Sequence, residues 1–199
     1  MKKDIQLIDE EEISSGFLRL KRYRLRHASY RGGWCPEITR ERLEGLSAVS
    51  VLPYDPQSDS LVMIEQFRIG AMESGEGAWL WETIGGYRSP GESAEAVARR
   101  EAMEEAGCQL LDLIPICEFY VSPGVSSERI QLFCARVDAT GVAGVHGLAH
   151  EGEEIRVDVM PADRVLAELY RRVNSTSAII ALQWFAAQRA ALRQRWLAS

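Results

Sequence analysis

The sequence predicts an α/β fold in which helices pack on the faces of a mixed sheet, with a small N-terminal β lobe ahead of it. Three observations carry this. Short apolar runs bounded by turn residues recur through the middle of the chain, three segments have helical spacing, and the two kinds interleave without the strict alternation of a wholly parallel sheet. With 199 residues, 46% hydrophobic and 26% charged, the chain can bury one full core and carry a small extra lobe.

The first 45 residues are rich in Arg and Tyr and poor in long apolar runs. Gly16–His27 and Trp34–Leu43 read as strands of a separate small sheet, so residues 1–45 are expected to form the lobe and 46–199 the main domain. Ala48–Pro53 and Leu61–Phe67 are apolar runs flanking Tyr54–Asp59, whose Pro, Ser and Asp mark a hairpin turn. Trp79–Ile84 is a further short strand, and a helix follows from Glu92 to Ala106, closed by Gly107 as a left-handed cap. Strands are expected at Leu113–Val121, Arg129–Val137 and Glu154–Val159. A helix over Ala162–Arg172 and a long amphipathic helix over Ser177–Leu197 complete the chain.

Composition narrows the function. No apolar run is long enough to span a bilayer, and the opening MKKDIQLIDEEEISS lacks the apolar centre of a signal peptide, so the expectation is a cytoplasmic protein without a membrane partner. Cys35, Cys108, Cys117 and Cys134 show no CxxC pairing and read as reduced, packed thiols. The net charge of -6 repels polyanions, which argues against nucleic acid as a partner and means that any phosphate must be held by local cations. His146 and His150 are four apart, but in the Gly-rich stretch GVAGVHGLAHEG they read as loop residues.

The helix after Gly85-Gly86 poses a physical problem. At 100° per residue, setting Ala94 at zero puts Val97 at about 300°, Ala98 at about 40° and Ala102 at about 80°. Glu101 at about 340° and Glu105 at about 20° fall inside that apolar stripe, and Glu104 at about 280° lies at its edge. Ionised glutamates are almost never buried unless paired or bound to metal. Arg100 can pair with Glu104 at i+4. A solvated face is one resolution; a hard divalent cation such as Mg²⁺, held by several carboxylate oxygens, is another. The Gly85-Gly86 pair reads either as a plain tight turn or as backbone able to approach a ligand, with a carbonyl completing the coordination.

As a pattern, Gly86, Glu92, Arg100, Glu101, Glu104, Glu105 and Gly107 fit G-x5-E-x7-R-E-U-x-E-E-x-G-U, with Ala102 and Cys108 at the apolar positions. This resembles the signature of the Nudix hydrolases. Fixed residues that each occur at about 6–7% would coincide this way by chance on the order of once in 10⁸ positions. The resemblance implies an α/β/α sandwich that hydrolyses a nucleoside diphosphate linked to another group. It implies Glu101 and Glu105, with Glu104 nearby, as ligands of Mg²⁺, for which Mn²⁺ can substitute, and the Gly85 carbonyl as a backbone ligand. Glu92 steadies the loop and helix, and Arg100 orients the carboxylates through an ion pair.

Beyond the motif, Pro123 in FYVSPGVSSERI, the stretches HGLAHEGEEIRV, IEQFRIGA and SAIIALQW, and the N-terminal lobe resemble the ADP-ribose pyrophosphatase branch. In that reading Glu151 is the general base and Glu153 a further metal ligand. Arg68, Arg40, Phe17 and Glu128 contact the substrate, and the lobe exchanges between the subunits of a homodimer. Leu18 beside Phe17 and Val125 after Ser-Pro-Gly depart from the branch's pattern. The expected activity is Mg²⁺-dependent hydrolysis of ADP-ribose to AMP and ribose 5-phosphate. The rivals are a GDP-mannose or broad nucleoside-diphosphate-sugar hydrolase, and a non-catalytic ADP-ribose-binding regulator.

Overall fold

The computed structural model describes residues 4–45 and 47–198, and of Glu151 the backbone alone. Two compact units divide the chain: residues 1–47 with 120–129, and residues 48–119 with 130–199. The segment around Pro123, distant in sequence, thus belongs with the N-terminal residues, and Leu46, the first residue of the expected main domain, lies outside the described residues.

In the N-terminal unit, β1 (Ile5–Ser15), β2 (Arg19–His27) and β3 (Ile38–Glu44) form an antiparallel sheet in that order. The strand β1 is absent from the sequence expectation for a physical reason. Every one of its residues is exposed, and its acidic run IDEEE has no alternating pattern. Cations across the ladder compensate: Glu12 meets Arg19 at 2.6 Å, Glu11 meets Arg22 at 3.2 Å, and Glu10 pairs with Lys21. Next to β3, Leu43 N–H donates to Val125 O at 2.9 Å and Gly45 N–H to Ser127 Oγ at 2.9 Å, which fastens the 120–129 segment to its end.

The larger unit is built on β4 (Ser47–Asp55) and β5 (Ser60–Phe67), β6 (Trp79–Glu82) and β7 (Ile84–Tyr87), and β8 (Asp112–Tyr120), β9 (Arg129–Arg136), β10 (Gly144–His146) and β11 (Ile155–Pro161). The sheet is mixed and runs β10-β11-β5-β4-β9-β8, with β6 on β5 and β7 on β4. Period-two alternation sends Val49, Val51, Val62, Ile64, Phe133, Ala135, Ile155 and Val157 to one face, against helix α1 (Ala94–Ala106). Leu52, Tyr54, Leu61, Met63, Leu132, Cys134 and Met160 go to the other, against α2 (Ala162–Ala167) and α3 (Thr176–Leu197). Buried on both sides, β4 and β5 read as near-continuous apolar runs. On the α3 side Tyr54 packs edge-on to Phe185 at 4.8 Å, and its hydroxyl donates to Asp59 at 2.7 Å.

The hairpin of β4 and β5 is forked. The two strands pair at Tyr54–Leu61 and Asp55–Ser60, next to the turn; farther along, β7 pairs with β4 and β6 with β5. The expected single strand Trp79–Ile84 is therefore two, broken at Thr83, whose hydroxyl lies 2.7 Å from Ser50 Oγ. Three further expectations need correction. Gly85-Gly86 is part of β7 and not a loop, the helix expected to reach Arg172 ends at Ala167, and His146 closes the short strand β10. All four cysteines are free; Cys108 and Cys134 are buried as expected, whereas Cys117 is exposed.

Candidate active site

Helix α1 begins at Ala94, two residues after the expected start at Glu92, and stops at Ala106 as its sequence directs. Ser93 caps it, accepting from Ala96 N–H at 3.2 Å, and Gly107 ends it with φ 58°, ψ 27°, its N–H turned back to Met103 O. The inward face carries Ala94, Val97, Ala98, Ala102 and Ala106, together with Glu101 at 9% exposure and Glu105 at 4%. Val97 is its one large apolar side chain, worth roughly 1.5 kcal/mol on burial. Desolvating an ionised carboxylate costs several kcal/mol. Packing therefore does not account for two inward glutamates.

The surroundings of each carboxylate are specific. Among the described residues Arg100 makes three ion pairs, with Glu92 at 3.2 Å and with Glu101 and Glu104 at 2.8 Å each. It also donates to Tyr87 O at 3.3 Å, so it ties the helix to the strand it packs on. Burial opposes the guanidinium's charge, but Glu92, Glu101 and Glu104 outweigh it and hold Arg100 more firmly protonated than usual. Glu92 takes Ser89 N–H at 3.3 Å as well, which closes the turn before the helix. Arg100 thus serves more acids than Glu104 alone, and among the described residues none of its pairs is with Glu105.

Glu105 instead accepts the Gly85 N–H at 2.9 Å. Burial pushes its carboxyl up to about 8; the Gly85 bond and the charge of Arg68 oppose the shift, while Glu101 and Glu153 add to it. Burial likewise raises Glu101, against Arg100, with Glu104 and Glu153 contributing. The charge of Glu153 is thus felt by both α1 carboxylates, and that of Arg68 by Glu105. The loop that carries Glu153 is tied down by Gly147 N–H, which donates to Glu104 O at 3.3 Å. Glu151 closes the short 3-10 turn Ala149–Glu151 in that loop; its side chain lies outside the described residues. Arg68 Nε sits 2.6 Å from Glu82 Oε2, a partner the sequence reading missed. The signal was available: Glu82 stands across the ladder from Ile64, on the α1 face.

A Cβ on Gly86 would stand 1.9 Å from Glu101 Oε1, so the glycine makes the room that this carboxylate occupies. The Gly86→Ala variant is expected to displace the Glu101 carboxylate and cut turnover by about tenfold or more, as small misplacements in active sites do, while thermal denaturation shows a fold close to wild type. Unchanged turnover would mean that the position of Glu101 is immaterial.

Among the described residues, no three acidic, His or Cys side chains already converge as a cation cage, since Arg100 draws Glu104 and the Gly85 amide engages Glu105. The donor set nevertheless fits a hard divalent ion, because two buried carboxylates repel each other, Glu153 adds a third charge, and Glu105 has no ion-pair partner among the described residues. Phe17, Arg40, Pro123 and Glu128 belong to the other unit. There Phe17 is 90% exposed, Arg40 donates to Thr39 O at 2.7 Å, and burial raises the Glu128 carboxyl.

Residues 46–183 match the NUDIX domain. The chain belongs to the NUDIX family. It is 40% identical over 196 residues to an ADP-ribose pyrophosphatase of Escherichia coli (strain K12), covering 98% of this chain and 94% of that one. An ADP-ribose pyrophosphatase of Haemophilus influenzae is 39% identical, covering 98% and 91%. A GDP-mannose pyrophosphatase of Citrobacter koseri is 30% identical over 84% of this chain and 86% of its own. A solved structure described as an ADP compounds hydrolase shares the NUDIX fold, with a TM-score of 0.69 at 19% identity and 92% and 95% coverage. Among the described residues no helix is long and apolar enough to cross a membrane.

Proposed function

We propose that this protein hydrolyses ADP-ribose to AMP and ribose 5-phosphate with Mg²⁺, and that Mn²⁺ can substitute. The observation that carries the reading is the pair of buried carboxylates, Glu101 and Glu105, held by α1 against the Gly85-Gly86 backbone. The substrate follows from the pyrophosphatases that are 40% identical along nearly the whole chain. Glu101, Glu105, Glu104, Glu153 and the Gly85 carbonyl are the residues that would hold the metal. Bound there, a divalent ion neutralises the diphosphate and polarises the attacked phosphorus.

The remaining steps belong to the chain. Glu151 takes a proton from the attacking water, a contribution of roughly 10²–10⁴ in rate. Water oxygen bonds to one phosphorus as the bridging P–O bond breaks, so one water is added across the anhydride. Arg68, held by Glu82, positions the diphosphate, and Arg40, Phe17 and Glu128 are the further substrate contacts of this reading. Arg100, Glu92 and Gly86 keep the carboxylates in place, and Pro123 shapes the segment that bears Glu128.

Residues 1–45 are read as a dimerisation lobe and 46–199 as the catalytic domain of a cytoplasmic homodimer. Ile5, Leu7, Phe17 and Leu18, exposed on the N-terminal unit, support the dimer. The relatives at 30% identity keep GDP-mannose as the second reading. A panel of ADP-ribose, GDP-mannose, ADP-glucose and NADH with Mg²⁺ separates them. ADP-ribose is expected to be turned over best, and a chelator to stop the reaction. Preference for the guanosine sugar would overturn the substrate, and tight binding of ADP-ribose without turnover would leave a regulator.

A further inference from the structure

The strand wall facing α1 contains one polar group that the fold leaves unexplained. Gln66 is 5% exposed, and its Nε2 has no hydrogen-bond partner among the described residues. Buried amides nearly always find partners, and one left unpaired lowers stability.

Its direction follows from the register. Along β5, Val62 and Ile64 enter the core on the α1 side, and Gln66 and Arg68 continue the same face at two-residue spacing. Cross-strand pairs agree. Gln66 stands opposite Leu80, and Ile64 opposite Glu82, the carboxylate that holds Arg68. On the other face Glu65 stands opposite Trp81 and accepts its indole N–H at 3.0 Å. Arg68 is near enough to Glu105 for its charge to favour that group's ionised form. Gln66 therefore sits between Ile64 and Arg68, on the wall that faces the carboxylates.

We propose that Gln66 is a substrate-binding residue whose amide N–H₂ donates to an oxygen of the diphosphate. The inference rests on the reading of the site as a nucleoside-diphosphate-sugar hydrolase and adds a contact outside its motif. A neutral donor suits this position. It donates to an anionic oxygen without bringing a second guanidinium close to Arg68, and hydrogen bonds to an ionised oxygen are about twice as strong as neutral ones. A donor unpaired in the free protein and paired by the ligand also makes an analogue without that oxygen a poor fit.

Two variants test it, with KM and kcat for ADP-ribose measured beside thermal denaturation. Gln66→Met keeps the length and removes the donor. It is expected to melt at the wild-type temperature or a few degrees above, because an unpaired polar group is gone, and to raise KM about tenfold, with kcat changed less. Gln66→Glu keeps the shape but presents only acceptors, and should raise KM further. A Gln66→Met protein with wild-type KM, or one that loses stability while KM holds, overturns the assignment, because the amide is then structural. Wild-type protein inactive on every nucleotide sugar overturns the reading of the whole site, whereas active wild type with unaffected Gln66 variants overturns only the role of Gln66.

Discussion

Replacing Glu105 by Gln is expected to lower Mg²⁺-dependent hydrolysis of ADP-ribose by more than about 10²-fold, since even residues that only orient metal ligands cost 10–100-fold when removed. The fold should survive. Glu105 is 4% exposed, and its one hydrogen bond among the described residues, from Gly85 N–H, is to an oxygen that the amide of Gln retains. A buried amide also avoids the desolvation that a buried carboxylate suffers without its cation, so metal-free variant should melt no lower than metal-free wild type. Added Mg²⁺ is expected to raise the melting temperature of wild type and to leave the variant nearly unmoved, because an ion bound only by the folded state stabilises it. Turnover within twofold of wild type would remove Glu105 from the metal site.

Asp59→Asn is expected to have the largest effect on stability, at about 1–3 kcal/mol, read as a drop in the denaturation midpoint. Asp59 lies in the turn between β4 and β5 with φ 53°, a conformation that Asn tolerates, so the substitution isolates the charge from the backbone. Its carboxylate takes the Tyr54 hydroxyl at 2.7 Å, Arg189 at 2.7 and 3.0 Å, and Arg193 at 3.2 Å. The Arg189 hydrogen bond holds its carboxyl below the ordinary value of 3.8, against burial, with Tyr54 and Arg193 helping. A carboxylate depressed by folding contributes its full stabilisation above the unfolded value and loses it as pH falls through the folded one. Wild-type stability should therefore decline as pH drops below about 3.8, and Asp59→Asn should flatten that part of the profile. A variant with an unchanged midpoint at neutral pH would show the cluster to be energetically idle.

Much of the site was legible because its parts are local. The register of α1 and the inward placement of Glu101 and Glu105 follow from 3.6-residue periodicity, and its end from the capping Gly107, all within fifteen positions. Other features depend on partners far along the chain. Strand β1 has no pattern of its own and exists through the cations of β2. Arg189 and Arg193 meet Asp59 across more than a hundred residues, a pairing that no spacing encodes. The break at Thr83 is invisible because Trp79–Ile84 is uniformly strand-like, and only the forked hairpin tells its halves apart. Gln66 was within reach, since Val62, Ile64 and Gln66 alternate onto one face; its missing partner was not.

The fork gives the site two separate foundations. Arg68 and Glu82 rest on β5 and β6, which lean on β11. Gly85 and Gly86 rest on β7 and β4, whose outer neighbour is β9. A substitution in β11 therefore reaches Arg68 first, and one in β9 reaches the carboxylate cradle first. The placement of Arg68 and that of the acidic cluster can drift apart or be adjusted one at a time, because mutations on the two arms share few partners and their effects should nearly add.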